Sequence, residues 1–300
     1  MTRKIIYLIN PISGTRGKSP LQELITQKTT AQGIAFEILP TTANGDYRHI
    51  ADKIQQEKIT DVVVCGGDGS VNQVVNALAN TNVDFGIIPM GSGNGLAFSA
   101  NIPKGSEKAL DVVFNGTAKL TDAFMVNDRF ACMLCGLGFD AQVAHQFAKQ
   151  SKRGLATYAA VTTRNFFTAK TYPFRVHANK LTFTTDAFFL SIANSNQFGN
   201  NFTIAPKAEL SDGLLDVVIV KKVPRPLLLV TIMKQVLAGK LKRIENSLSS
   251  PVIYFQTNEL VIDNEKEAPL HIDGEPMKTF RHLHIKVLPA YFKLLYASNG

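Results

Sequence analysis

The densest chemistry in the chain lies in residues 61–79, DVVVCGGDGSVNQVVNALA. The apolar run 62–64 reads as a buried parallel strand, and Val71, Val74, Val75 and Leu78 recur at the spacing of a helix. Between them stand Gly66, Gly67, Asp68, Gly69 and Ser70, with Asn72 one turn on. Strand, glycine turn and helix together aim backbone N–H groups and a helix N-terminus at one point, an arrangement suited to a phosphate. A carboxylate at the centre of such a loop suits a divalent metal beside the phosphate, or a proton that must be moved. The plainer reading is a turn whose Asp caps the helix.

Three other strand ends carry comparable polar loops, which weakens that plainer reading. Asn10-Pro11-Ile12-Ser13-Gly14 follows a strand at 4–9, and Pro40-Thr41-Thr42 follows one at 34–39. Gly91-Ser92-Gly93-Asn94 follows one at 85–88; Ser92 can donate to a phosphate and Asn94 can cap the next helix. Two acidic turns stand later in the chain. Asp212, in the segment 209–216, can hold a hard cation such as Mg²⁺ with nearby carbonyls, or serve as an Asp-Gly turn. In His271-Ile272-Asp273-Gly274-Glu275-Pro276, two carboxylates flank a glycine and can converge for metal binding or general-base work. A plain turn is the alternative.

The elements that must position these groups fall into two textures. Through residue 118, four strands alternate with helices and every polar loop follows a strand, which predicts an open, doubly wound parallel α/β domain with ligands on one edge. Residues 119–288 read as a mainly antiparallel β-sandwich, with strands at 119–126, 129–137, 173–178, 181–194, 214–220, 251–257, 259–262, 270–272 and 282–287. Helical inserts are expected at 140–169, broken near Gly154, and at 225–241. The tail from about 289 to 300 can close the second domain or return to the first.

Composition narrows the field. A 300-residue chain with 45% hydrophobic and 19% charged residues is that of an ordinary globular protein of about two domains. No apolar stretch approaches the roughly 20 residues of a membrane span, and the N-terminal run is too short for a signal peptide, so a cytoplasmic location is expected. The net charge of +8 is compatible with anionic small molecules, anionic lipid or nucleic acid. No zinc-finger, RNP or basic-zipper pattern supports nucleic acid. Cys132 and Cys135 form a CxxC inside an apolar run, without two further ligands at zinc spacing, so buried thiols are expected there and at Cys65.

Six motifs, NPISG at 10–14, GGDGSVN at 66–72, PMGSGNGLA at 89–97, GFDAQVA at 138–144, SDGLLDV at 211–217 and DGEP at 273–276, occur in one order across nearly the whole chain. Together they resemble the diacylglycerol kinase catalytic family, and more closely its small bacterial lipid kinases related to sphingosine and ceramide kinases. The resemblance implies ATP bound between two domains, with Asn10, Pro11, Ser13, Gly14, Thr41, Gly66, Gly67, Asp68, Gly69, Ser70, Asn72 and Ser92 at nucleotide-binding positions. It implies that Glu275 is the general base toward a lipid hydroxyl and that Asp68 handles Mg-ATP or shares the base role. It further implies a structural Mg²⁺ at Asp212 with the carbonyls of Glu209 and Leu214, and Asp140 at the lipid headgroup. Ser70 and Gln73 stand where the family usually has Thr and Glu; the hydroxyl is kept and a charge is lost.

The implied partner is a lipid at a membrane surface, visited peripherally. Basic residues Lys149, Lys152, Arg153, Arg164 and Lys170 near Phe147, Leu155, Phe166 and Phe167 could touch headgroups, or form a solvated face over a packed helix. The oligomeric state, a homodimer included, stays open. Among rivals, phosphofructokinase shares the loop but needs an acidic TxD motif, which is not found here in a matching context, and NAD kinase lacks the GSGNGLA loop and the DGE turn. A catalytically silent nucleotide- or lipid-binding regulator would have no use for Asp68, Asp212 and Glu275 together.

Overall fold

The computed structural model describes residues 2–12, 18–150, 155–166, 170–179, 181–197, 205–222 and 251–298. The chain divides into two compact units, Met1–Thr121 with Ala290–Gly300, and Asp122–Pro289. The first alternates strands and helices: β1 (Lys4–Ile9), α1 (Lys18–Ala31), β2 (Ala35–Pro40), α2 (Arg48–Glu57), β3 (Asp61–Gly66), α3 (Asp68–Leu78), β4 (Asp84–Pro89), α4 (Gly95–Ser99), α5 (Ser106–Asn115) and the start of β5 (Thr117–Val126). All six residues of β3 are buried, as its unbroken apolar run predicts for a central parallel strand. On α3, Val71, Val74, Val75 and Leu78 form the buried stripe.

The parallel strands run in the order β4-β3-β1-β2. The chain therefore leaves β1 toward β2 on one side and returns to β3 on the other. Such a reversal opens a crevice at the C-terminal ends of the two central strands, where ligands of open α/β sheets bind. The loops after β1 and β3 lie at this point.

The second unit holds the end of β5, β6 (Arg129–Ala131), β7 (Leu134–Gly138), α6 (Phe139–Ala148), α7 (Leu155–Phe166), β8 (Tyr172–Ala178), β9 (Leu181–Ala193), β10 (Leu215–Lys221), β11 (Val252–Thr257), β12 (Glu259–Asp263), β13 (Leu270–Ile272), β14 (Glu275–Met277) and most of β15 (His282–Tyr296). Its pairings are antiparallel, in the order β14-β13-β7-β9-β8-β12-β15, with β10 joining β9 to β11. Alternate residues such as Phe174 and Val176, Leu190 and Ile192, Val217 and Ile219, and Leu283 and Ile285 share one core. Two helices do stand within 140–169, while Gly154 between them and the helix expected at 225–241 lie outside the described residues. Among the described residues no helix is long and apolar enough to cross a membrane.

The segment 291–296 is not a separate strand. It is the end of β15, where Lys293 and Leu294 pair in parallel with Asp84 and Phe85 of β4 in the first unit. Gly116 accommodates this return, because a side chain there would meet the carbonyls of Val112 and Tyr296 at 2.4 and 2.6 Å.

One ion pair ties the base of the first unit together. Asp61 at the start of β3 is buried; Arg3 donates to both of its oxygens and also to the carbonyls of Val113 and Phe114 at the end of α5. Asp61 is the main reason that the Arg3 guanidinium holds its proton more tightly than usual. Asp61→Asn would leave a half-buried cation short of its partner. A loss of about 3 kcal/mol in urea unfolding is expected, and wild-type stability of the variant would show that the pair contributes little.

Candidate functional site

The first candidate site is built from loops that follow parallel strands. Gly67 stands at the N-cap of α3, and its carbonyl accepts the N–H groups of Ser70 and Val71 at 3.0 and 3.1 Å. Asp68, Gly69 and Asn72 are half-buried on the opening turns of this eleven-residue helix. That end carries the positive pole of the helix dipole. Ser70 is buried, and its Oγ accepts a hydrogen bond from Asn10 Nδ2 at 2.7 Å. Asn10 also donates its N–H to the Cys65 carbonyl and accepts the Ile12 N–H on Oδ1. Loops after β1 and β3 are thereby joined at the switch point. Thr41, after β2, is fixed by its N–H to the Ile9 carbonyl at 3.0 Å.

The loop after β4 meets the loop after β3 backbone to backbone. A Cβ on Gly91 would lie 2.6 Å from Gly67 Cα, and one on Gly67 would lie 3.0 Å from Gly91 Cα. At Gly66, a Cβ would strike Ser70 at 2.7 Å. These three glycines are needed for close approach rather than for unusual dihedrals. Asn94 departs from the sequence expectation. It occupies the N-cap of α4 with φ 56°, but its side chain makes no bond to the helix. Instead Oδ1 accepts the Gly91 N–H and Nδ2 donates to the Gly91 carbonyl, both at 2.8 Å. That closes the loop on itself and leaves half-buried Ser92 at its tip. Pro11 is exposed beside Asn10, and Ser13 and Gly14 lie outside the described residues.

The second candidate site is the β13–β14 hairpin. Its two-residue turn, Asp273-Gly274, has φ 49° and 81°, the mirror-image turn that Asp-Gly sequences favour. The two acids do not converge. Asp273 is buried and turned inward, accepting the N–H groups of Cys132 on Oδ2 and of Met133 and Leu134 on Oδ1, at 2.9–3.0 Å. This corrects the idea that Asp273 and Glu275 form a joint acidic site. A carboxylate saturated by three amides is a structural anchor. Glu275 is exposed.

Behind the hairpin lies Asp140, nine-tenths buried on the first turn of α6. Its Oδ1 accepts the Ala141 N–H at 2.8 Å and its Oδ2 faces Nε2 of buried His271 at 3.4 Å. His271 is a site residue that the motifs alone do not single out. Its signal in the sequence is a histidine in an apolar strand, two residues before an acidic turn.

Around the third candidate site, Asp212 is exposed and accepts the Leu214 N–H on Oδ1 at 3.0 Å. Partial burial, opposed by that N–H, and then the carboxylates of Glu209 and Asp122 hold its pKa above the usual range. Buried Asp122, a further acid at this site, accepts the Gly213 N–H at 2.7 Å. Its signal was an acid inside the apolar strand 119–126. Asp216 is buried beside Tyr254, and burial pushes its carboxyl up to about 6. This surplus of negative charge suits a hard cation. Among the described residues no three His, Cys, Asp or Glu side chains converge to hold one, so a cation at Asp212 would depend on carbonyls, such as those of Glu209 and Leu214, and on water. Cys65, Cys132 and Cys135 are buried thiols, as expected.

The α/β-plus-sandwich fold and its glycine loops suit a kinase, and the comparisons give the family. Residues 4–126 match the diacylglycerol kinase catalytic domain, and residues 134–296 match the YegS C-terminal NAD kinase beta sandwich-like domain. The chain belongs to the diacylglycerol kinase catalytic family. It is 27% identical to the diacylglycerol kinase of Bacillus subtilis (strain 168), over 95% of this chain and 96% of that one. It is 26% identical to the "Probable lipid kinase YegS-like" of Shewanella frigidimarina, over 89% of this chain and 86% of that one. A solved diacylglycerol kinase structure from Bacillus anthracis str. Sterne has the same fold, with TM-score 0.72 at 20% identity over 98% and 97% of the two chains.

Two outcomes follow for stability. Gly91→Ala forces the two loops apart and should cost about 2 kcal/mol. Asp273→Asn loses the charge that holds three amides and should cost about 3 kcal/mol, whereas Glu275→Gln should stay within about 0.5 kcal/mol of wild type. Urea unfolding of the three variants checks both, and equal effects at Asp273 and Glu275 would contradict the division between anchor and exposed acid.

Proposed function

We propose that the protein is an ATP-dependent lipid kinase, transferring the γ-phosphoryl group to the hydroxyl of a diacylglycerol or a sphingoid-like lipid. The observation that carries this reading is the interlocking of the glycine loops at the switch point of the parallel sheet. The names of the relatives, lipid kinase and diacylglycerol kinase, support it. In this reading the nucleotide lies against Asn10, Pro11, Ser13, Gly14, Thr41, Gly66, Gly67, Gly69, Ser70, Asn72 and Ser92. Amides at the start of α3 receive its phosphates. Mg²⁺, with Asp68 as its protein-side acid, would supply charge neutralisation on the phosphates. A second cation would sit at Asp212 with the carbonyls of Glu209 and Leu214.

Glu275 takes the proton of the lipid hydroxyl as the new O–P bond forms and the bond to ADP breaks. An exposed carboxylate at the head of a tight, anchored turn suits that role, because positioning is most of what phosphoryl transfer requires of a protein. The enzyme would work in the cytoplasm and touch the inner membrane surface transiently. Exposed Lys149, Arg164 and Lys170 would meet anionic headgroups, while Lys152 and Arg153 lie outside the described residues. A kinase acting on a soluble dinucleotide is the second reading, favoured by the description of the 134–296 match as NAD kinase sandwich-like.

ATP turnover against a lipid panel in mixed micelles, with NAD as a further acceptor, tests the reading. Phospholipid product is expected, and thin-layer separation of labelled products names the acceptor. Product from NAD alone favours the second reading, and ATP binding without product indicates a silent binder. Glu275→Gln should lower transfer about 10³-fold with ATP binding intact. Full activity of Glu275→Gln with an inactive Asp68→Asn would move the base role to Asp68.

A further inference from the structure

We infer that His271 is a positioning residue for the Glu275 turn, acting as the acceptor that fixes the Gly274 amide. The inference rests on the lipid-kinase reading only in taking Glu275 as the working acid. His271 lies on β13, 2% exposed, with Nδ1 accepting the Gly274 N–H at 3.3 Å. An imidazole nitrogen that accepts carries no proton, so the neutral ring bears its hydrogen on Nε2. Nε2 faces Oδ2 of Asp140 at 3.4 Å, and Asp140 is held in turn by the Ala141 N–H. The sequence of contacts is thus α6 carboxylate, imidazole, turn amide, and Glu275 as the next residue.

Space has been kept for this pair. Gly136 of β7 stands opposite His271 in the strand register. A Cβ there would lie 1.9 Å from Asp140 Oδ2 and 2.6 Å from His271 Nε2. Glycine at 136 is therefore required by the dyad rather than by backbone conformation. The same turn is held on its other side by Asp273 on the amides of Cys132, Met133 and Leu134. Two independent anchors, one anionic and one an imidazole lone pair, bracket the residue that precedes Glu275.

A buried Asp–His pair with its tautomer fixed could be mere packing, so the test must separate acceptor from filler. An Asn side-chain oxygen reproduces the position of Nδ1, whereas a Gln nitrogen reproduces Nε2. His271→Asn should keep kcat within about threefold, and His271→Gln, His271→Leu and Gly136→Ala should lower kcat about 10- to 100-fold with the ATP KM unchanged. Wild-type kcat in His271→Leu, or equal loss in His271→Asn and His271→Leu, overturns the proposal. Imidazole ¹⁵N shifts of the wild-type protein provide a readout that needs neither activity nor a folded variant. A lone pair on Nδ1 is expected, and a proton there overturns it. Glu275→Gln, assayed in parallel, distinguishes the two failures: full activity of that variant removes the base assignment, while the ¹⁵N shifts still decide the hydrogen bond.

Discussion

The first unit depends on an approach of two α-carbons that leaves no room for any side chain. Gly67 and Gly91 belong to loops after neighbouring strands, and a single methyl on Gly91 would come within 2.6 Å of the other loop's backbone. Close packing of this kind converts two turns, each ordinary by itself, into one surface. Asn94 and the Asn10–Ser70 hydrogen bond hold that surface from either side, so backbone amides are presented by a frame with little freedom to relax. Preorganised amides are what a developing phosphate charge rewards.

The acidic turn of the second unit uses two carboxylates in opposite ways. Asp273 gives up nearly all exposure to satisfy buried N–H groups that would otherwise be costly. Glu275, two residues on, keeps its exposure. In a tight mirror-image turn, residues on either side of the glycine leave in different directions. Sequence proximity of two acids therefore says little about whether they act together.

What could be read from the sequence followed the range of the forces involved. The buried strand at 62–64, the helical stripe of Val71 to Leu78 and the change of texture near residue 118 come from hydrophobic periodicity, which is written locally. The glycine loops were legible because glycine clusters at strand ends have few uses. Illegible were the groups whose partners lie far along the chain. Asp273 finds its amides about 140 residues upstream, and His271 meets Asp140 131 residues away. Asn94 differs from expectation for another reason: capping position and capping bond are separate properties, and its side chain bonds to the loop. The pairing of Lys293 and Leu294 with β4 leaves no trace in composition at all.

That last pairing bears on how the chain reaches its folded state. β4 lies early in the sequence, yet a strand neighbour arrives only from residues 293 and 294. During synthesis from the N-terminus, the first unit would have to wait, with this edge of β4 uncovered, until nearly the whole of the second had left the ribosome. Closure of the N-terminal unit is thus a late event with high loop-closure entropy, and an unpaired strand edge is a standing invitation to mispairing in the interval.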